Sequence, residues 1–262
     1  SQAIAASAFA SSGVYLERWL QAPRHIEYQL LADERGNVMH VYERECSVQR
    51  RQQKLIEESP APGLSASFVQ QQAEQVAAIC AALGYNNIGT VETLLGAGGE
   101  VGFLEMNTRI QVEHGVTEAV TGLDLVQQQI QLASGGQLPE LPQLTGFAVE
   151  ARIYAEDAKT MLPSTGTLRV FRPPTMHGIR IETGYQEGQE VSPFYDALLA
   201  KVIAKGNTRA QAIGRAMVAL QAFNIQGVQS NSALLIKILQ DKAFLAGAVD
   251  TGIVARVLAT AA

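Results

Sequence analysis

Three observations predict an α+β fold built on an antiparallel sheet with helices packed against it. Residues 25–32 and 38–45 are strand-like runs on either side of Asp33-Glu34-Arg35-Gly36-Asn37, whose Gly and Asn tolerate the positive φ that a tight reversal needs. Between residues 67 and 83, Phe68, Val69, Ala73, Val76, Ala77, Cys80 and Leu83 recur at helical spacing, with Gln and Glu on the other face. The stretch Phe103-Leu104-Glu105-Met106-Asn107-Thr108-Arg109-Ile110-Gln111-Val112-Glu113-His114 alternates instead. As a strand it puts Glu105, Asn107, Arg109, Gln111 and Glu113 on one face and Leu104, Met106, Ile110 and Val112 on the other. The bland reading is a half-buried strand with a solvated outer face. The functional reading is that carboxylates, amides and a guanidinium gathered on one face can hold a divalent cation and an oxyanion together.

Composition bounds the function. At 262 residues, with 47% hydrophobic and 17% charged content, the chain is long enough for one large or two modest cores. A net charge of −5 argues against nucleic acid as a main partner, because phosphate binding relies on clustered Lys and Arg. No run approaches the roughly 18 apolar residues of a membrane span, and no signal-peptide pattern is present, so no membrane role and a cytoplasmic setting are expected. Cys46 and Cys80 lack a metal-ligand spacing and suit a reducing compartment.

Taken in order, the Ala-rich residues 1–12 read as a helix, and their abrupt opening without Met reads as the tail of a longer element. Residues 14–20 read as a strand by their aromatic and branched content, closed by Pro23. After the hairpin, Arg50, Arg51 and Lys54 form the densest basic spot, either a solvated loop or a clamp for phosphate or carboxylate. Gly84 stops the helix of residues 67–83, residues 88–95 form a strand carrying Glu92, and Gly96-Ala97-Gly98-Gly99 reverses the chain. That hairpin puts Glu92 beside Glu105, a like-charge pair that a metal would relieve. Asp124 with Gln127 resembles a capping box opening a helix over residues 125–133. Pro139 and Pro142 mark a linker, and a domain boundary is expected near residue 145. Beyond it, strands are expected at 147–154, 166–171, 179–183 and 198–205. Helices are expected at 209–223, opened by Thr208 with Gln211, and at 233–239 and 253–258.

Longer motifs are more specific. Pro23-Arg24-His25-Ile26-Glu27, then Glu43-Arg44-Glu45-Cys46-Ser47-Val48-Gln49-Arg50-Arg51-Gln52-Gln53-Lys54, then Glu105 to His114, closely resemble biotin carboxylase, the ATP-grasp component of biotin-dependent carboxylases acting on acyl-CoA, pyruvate or urea. Glu150-Ala151-Arg152-Ile153-Tyr154-Ala155-Glu156-Asp157 and Pro193-Phe194-Tyr195-Asp196 extend the resemblance over nearly the whole chain. It implies residues 1–145 as the C-terminal part of an ATP-grasp domain and 146–262 as the biotin carboxylase C-terminal domain. It implies ATP-dependent carboxylation of the ureido nitrogen of biotin by bicarbonate, through carboxyphosphate. Glu92, Glu105 and Asn107 would hold Mg²⁺ or Mn²⁺ bridging the ATP phosphates. Arg109, Gln111, the Val112 backbone and Lys54 would orient bicarbonate, Glu113 would take its proton, and Arg152 would stabilise the biotin enolate. Glu17, Arg18, Trp19 and Leu20 match the adenine-pocket segment, and His25, Gln49 and Gln52 match other nucleotide contacts. A biotin carboxyl carrier, a carboxyltransferase and a second copy of the chain are the implied partners.

The departures are equally specific. Gln52 stands where His is common, Arg18 where Lys is frequent, and Gly115 where Pro is usual. The N-terminal α/β domain and glycine-rich lid of the family do not occur among these 262 residues, so little turnover is expected of the isolated chain. A binding or assembly module derived from such an enzyme is the competing reading. A different ATP-grasp ligase is disfavoured by Arg152 and the C-terminal region.

Overall fold

The computed structural model describes residues 1–157 and 160–259. In chain order the elements are α1 (Gln2–Phe9), β1 (Arg24–Ala32), β2 (Val38–Arg50), β3 (Gln53–Ser59), α2 (Ala66–Ala82), β4 (Asn87–Leu95), β5 (Val101–Asn107), α3 (His114–Thr121), α4 (Leu125–Ala133) and β6 (Phe147–Tyr154). There follow β7 (Gly166–Thr167), β8 (Val170–Arg172), β9 (Ile179–Glu182), β10 (Glu190–Val191), β11 (Leu198–Gly206), α5 (Arg209–Ala222), β12 (Asn224–Gln226), α6 (Ser232–Leu239), α7 (Lys242–Leu245) and α8 (Ile253–Ala259). The fold is α+β, as expected, and its frame is one eight-stranded sheet in the order β5-β4-β1-β2-β3-β6-β11-β9, with antiparallel pairing throughout. Among the described residues no helix is long and apolar enough to cross a membrane.

Local chemistry explains the turns and caps. Asp33 Oδ1 accepts from the backbone N–H groups of Arg35 and Asn37, both at 3.0 Å, and Gly36 takes φ 84°, which closes the β1–β2 hairpin. Ser65 caps α2, Asp124 caps α4 and Thr208 caps α5, each accepting a backbone N–H three residues on. In α5 the Gln211 carbonyl reaches back to the N–H of Asn207 at 3.0 Å, so the box closes one residue earlier than its usual register.

Alternation along β1 sets the layers. Ile26, Tyr28 and Leu30 face α2, packing with Val69, Ala73 and Cys80, while Leu31 on the other face joins Leu125 and Leu132 of α4. His25, Glu27 and Gln29 share that second face, and they are buried there rather than solvated. A larger core around β6, β11, α5, α6 and α8 contains Val149, Ile153, Val202, Ile213, Leu235 and Val254.

Several expectations fail. Residues 14–20 have no regular structure, and Leu16 and Trp19 are exposed at 101% and 86%, because no neighbouring strand supplies a ladder to convert their β-propensity into a strand. The strand carrying the alternating face ends at Asn107. From Thr108 the chain turns, with the N–H of His114 on Gln111 O at 3.3 Å, and α3 begins at His114, a helix the alternation concealed. The basic spot at 50–54 is not a loop but the end of the β2–β3 hairpin, whose two turn residues, Arg51 and Gln52, sit at φ 50° and 66°. The expected strand at 166–171 divides into β7 and β8, which pair with the short unforeseen strands β10 and β12.

Candidate active site

The site lies on the α3 face of the sheet, where β1, β2, β3, β4 and β6 each contribute charged or polar side chains to one buried network. Arg44 is fully buried and reaches Glu27 (Nε), Gln29 (2.8 Å), Thr117 (3.0 Å), Thr90 (3.2 Å) and Gln111 (3.2 Å). Lys54 Nζ touches Glu27 Oε2 at 2.5 Å and Glu92 Oε1 at 3.1 Å, and pairs with Glu113 Oε1. Glu113 is held from its other oxygen by Arg152 Nη2 at 2.7 Å. Arg152 in turn lies 2.6 Å through Nε from Glu57. Each buried charge therefore meets an opposite one, the condition under which ions survive in a low-dielectric interior.

The electrostatics follow. Burial pushes the Glu27 carboxyl upward, but Arg44 and Lys54 prevail and hold it near about 2. Burial likewise opposes ionisation of Glu92, yet His25 at 2.9 Å and Lys54 lower it to about 2. Burial disfavours the Lys54 ammonium, but Glu27 and the other carboxylates around it raise its pKa instead.

Glu92 and Glu105 are direct partners across the β4–β5 ladder. Asn107 Nδ2 lies 3.1 Å from Oε1 of each, and Gln111 Nε2 lies 2.5 Å from Glu92. Two opposed carboxylates and a carboxamide are hard oxygen donors, and turning the Asn107 amide over would present its oxygen to the same point, so the set fits Mg²⁺ or Mn²⁺.

The other residues singled out in the sequence are placed less tightly. Arg109 is exposed and donates to the carbonyl of its neighbour Ile110 at 3.2 Å. The Val112 carbonyl accepts from Lys201 at 2.6 Å. Gln49 opposes Lys54 in the β2–β3 register, while Gln52 is exposed at the turn. Glu17, Arg18 and Trp19 are exposed, and Leu20 lies near Gly102 of β5. Arg50 binds Glu156, with Nη2 at 2.8 and 2.7 Å from the two oxygens.

Glu27, Arg44, Glu57, Thr117 and Glu150 belong to the network or its margin without having been assigned roles from sequence. The available signal was charge at alternate positions, His25-x-Glu27-x-Gln29 and Glu150-x-Arg152, in strands otherwise apolar enough for a core.

Two families match. Residues 1–141 match the family described as carbamoyl-phosphate synthase L chain, ATP binding domain, and residues 150–256 match the biotin carboxylase C-terminal domain. The chain belongs to the biotin carboxylase family. Biotin carboxylase 2 of Bacillus subtilis (strain 168) is 44% identical over 250 residues, covering 94% of this chain and 56% of the relative. The biotin carboxylase of Allochromatium vinosum is 45% identical over 253 residues, covering 95% and 56%. Among solved structures, the biotin carboxylase domain dimer of Hydrogenobacter thermophilus 2-oxoglutarate carboxylase, in complex with MgADP, ADP and bicarbonate, superposes with a TM-score of 0.93 at 39% identity, covering 97% of this chain and 57% of that one. The Campylobacter jejuni biotin carboxylase gives a TM-score of 0.93 at 39% identity, covering 97% and 58%. The chain thus spans just over half the length of the biotin carboxylases it matches.

Proposed function

We propose that this chain carries the bicarbonate- and biotin-activating part of a biotin carboxylase, a ligase that uses ATP to carboxylate biotin on a carrier. The observation that carries this reading is the Glu113 carboxylate clamped between Lys54 and Arg152, with the Glu92–Glu105 pair beside it. Lys54 and Gln111, with Arg109 swung inward from its exposed position, orient bicarbonate, and Glu113 takes its proton as bicarbonate attacks the terminal phosphate of ATP, giving carboxyphosphate and ADP. Arg152 is the fixed cation for the negative charge that develops on the ureido oxygen of biotin. Glu92, Glu105 and Asn107 would hold Mg²⁺ or Mn²⁺, which when bound neutralises charge on the ATP phosphates. His25, Gln49, Gln52 and the 17–20 segment are the groups this reading assigns to the nucleotide.

We further infer little turnover by the 262-residue chain alone, since no glycine-rich lid for the phosphates occurs in it. The partners consistent with this reading are a biotin carboxyl carrier, a carboxyltransferase and a second copy of the chain, in a cytoplasmic setting. The test is to join the chain to the N-terminal half of a relative and measure bicarbonate- and biotin-dependent ADP formation. Glu113→Gln is expected to cut that rate by about a hundredfold or more. An active joined protein that tolerates both Glu113→Gln and Glu105→Ala would refute the assigned roles. The competing reading, an assembly module without chemistry, predicts that the joined protein binds a carrier domain but forms no ADP.

A further inference from the structure

Beside Arg152 lie two more buried carboxyl groups. Glu57 of β3 and Glu150 of β6 are direct cross-strand partners, and both are fully buried. Among the described residues none of their four oxygens finds a hydrogen-bond donor. Glu57 Oε1 lies 2.6 Å from Arg152 Nε, a contact of opposite charges in which the N–H is not aimed along the line between them. Glu150 reaches toward α3, where Gly115 leaves room for it: a Cβ on Gly115 would stand 2.8 Å from Glu150 Oε2 and 2.9 Å from Arg180 Nη2, and would also collide with Ile203 Cδ1.

Two carboxylates opposed across a ladder in a dry interior cannot both ionise without a cation for each. The charges facing the pair offer one. Arg152 is shared between Glu57 and Glu113. Lys201, opposite Arg152 on β11, is committed to Glu182 at 2.6 Å and to the Val112 carbonyl. Arg180 on β9 is committed to Glu118 and Glu182, and Lys54 to Glu27, Glu92 and Glu113. Glu27, Glu113 and the titratable Cys46 and Tyr154 add no positive charge. One cation for two carboxyls leaves one of them to be neutral.

We propose that Glu57 and Glu150 form a proton-holding pair that positions Arg152: Glu150 stays protonated through neutral pH, and Glu57 is the carboxylate that seats the guanidinium. Burial, and then Glu57, push Glu150 well above the ordinary carboxyl range. Burial lifts Glu57 to about 7 against the pull of Arg152, so the seat is made as pH rises through neutrality and released as it falls. That Arg152 faces biotin rests on the function proposed above; the protonation of the pair does not.

The two claims separate in one experiment. The 262-residue chain, labelled with carbon-13 at its glutamate carboxyls, is titrated by NMR while the Arg152 Nε–H resonance is followed. At a pH of about 8, well above a free glutamate, a protonated carboxyl signal is expected that Glu150→Gln abolishes, together with a downward shift in the Glu57 titration. Glu57→Gln is expected to leave that signal and move the Arg152 resonance. Absence of a protonated carboxyl in the unsubstituted chain, which needs no variant to fold, overturns the proposal, as does a signal that survives Glu150→Gln. In the joined protein, Glu57→Gln is expected to remove a step near neutrality from the pH profile of biotin-dependent turnover. An unchanged profile overturns the positioning role even where the NMR result stands, and loss of activity through Glu113→Gln reports on the proposed function independently.

Discussion

The centre of the sheet and its β5 edge carry similar side chains in opposite circumstances. In the centre, Glu27, Arg44, Lys54, Glu113 and Arg152 are all buried, and each is held by an opposite charge. At the edge, Glu105 and Arg109 are exposed: Glu105 opposes Glu92 and accepts from Asn107, Arg109 donates to a neighbouring carbonyl, and Leu16 and Trp19 before β1 are exposed too. A buried ion is costly unless its partners are already in place, so the centre has its geometry before any substrate arrives. The edge bears Glu105, Asn107 and the 17–20 segment, which we propose for metal and adenine, and it lacks the buried ion pairs that fix the centre.

The sharpest way to break this contrast is Arg44→Met. It leaves Glu27 buried beside one cation fewer and removes five side-chain contacts, so a loss of about 3–5 kcal/mol in urea unfolding is expected. A loss under about 1 kcal/mol would mean that the centre is not preorganised by its charges. Gly115→Ala comes next, since its Cβ must displace Ile203, Arg180 or Glu150; about 1–3 kcal/mol is expected from the same measurement. Third is the pH dependence from Glu57. The unfolded chain releases this proton near 4.5, whereas the folded chain keeps it to about 7, so this group's contribution to stability falls as pH rises between those values. Thermal melts across that range should show Glu150→Gln flattening the fall, and an equal slope in both proteins would remove the pair from the account. The smallest effect belongs to the edge: Trp19→Ala, at 86% exposure, should change stability by less than about 0.5 kcal/mol.

The same contrast explains what could be read in advance. The β1–β2 hairpin and helices α4 and α5 were legible because Gly36, Asp124 and Thr208 act within a few residues of themselves, and α2 because its apolar residues repeat at helical spacing up to Gly84. The Glu92–Glu105 pairing was legible because the short glycine-rich connection at 96–100 leaves few registers. By contrast, α3 was hidden because alternation runs on past Asn107 while the backbone turns at 108–113. The apolar setting of Glu150-x-Arg152 hinted at burial, but the pairing of Glu57 with Glu150 was hidden, since their strands meet only after some ninety intervening residues. The segment at 14–20 failed for the converse reason, having strand-like residues with nothing to pair with.

The β3–β6 pairing has an engineering consequence. These strands join the segments matched by the two families, and the ladder runs from Ile56↔Ala151 to Ser59↔Ala148. Cutting between them to swap the C-terminal segment would bare two rows of unpaired backbone N–H and C=O groups, a template for edge-to-edge aggregation. It would also part Lys54 from Arg152, which grip the two oxygens of Glu113 from opposite sides of that seam. A chimera that keeps β6 with the N-terminal segment and crosses over after Tyr154 preserves both the ladder and the grip.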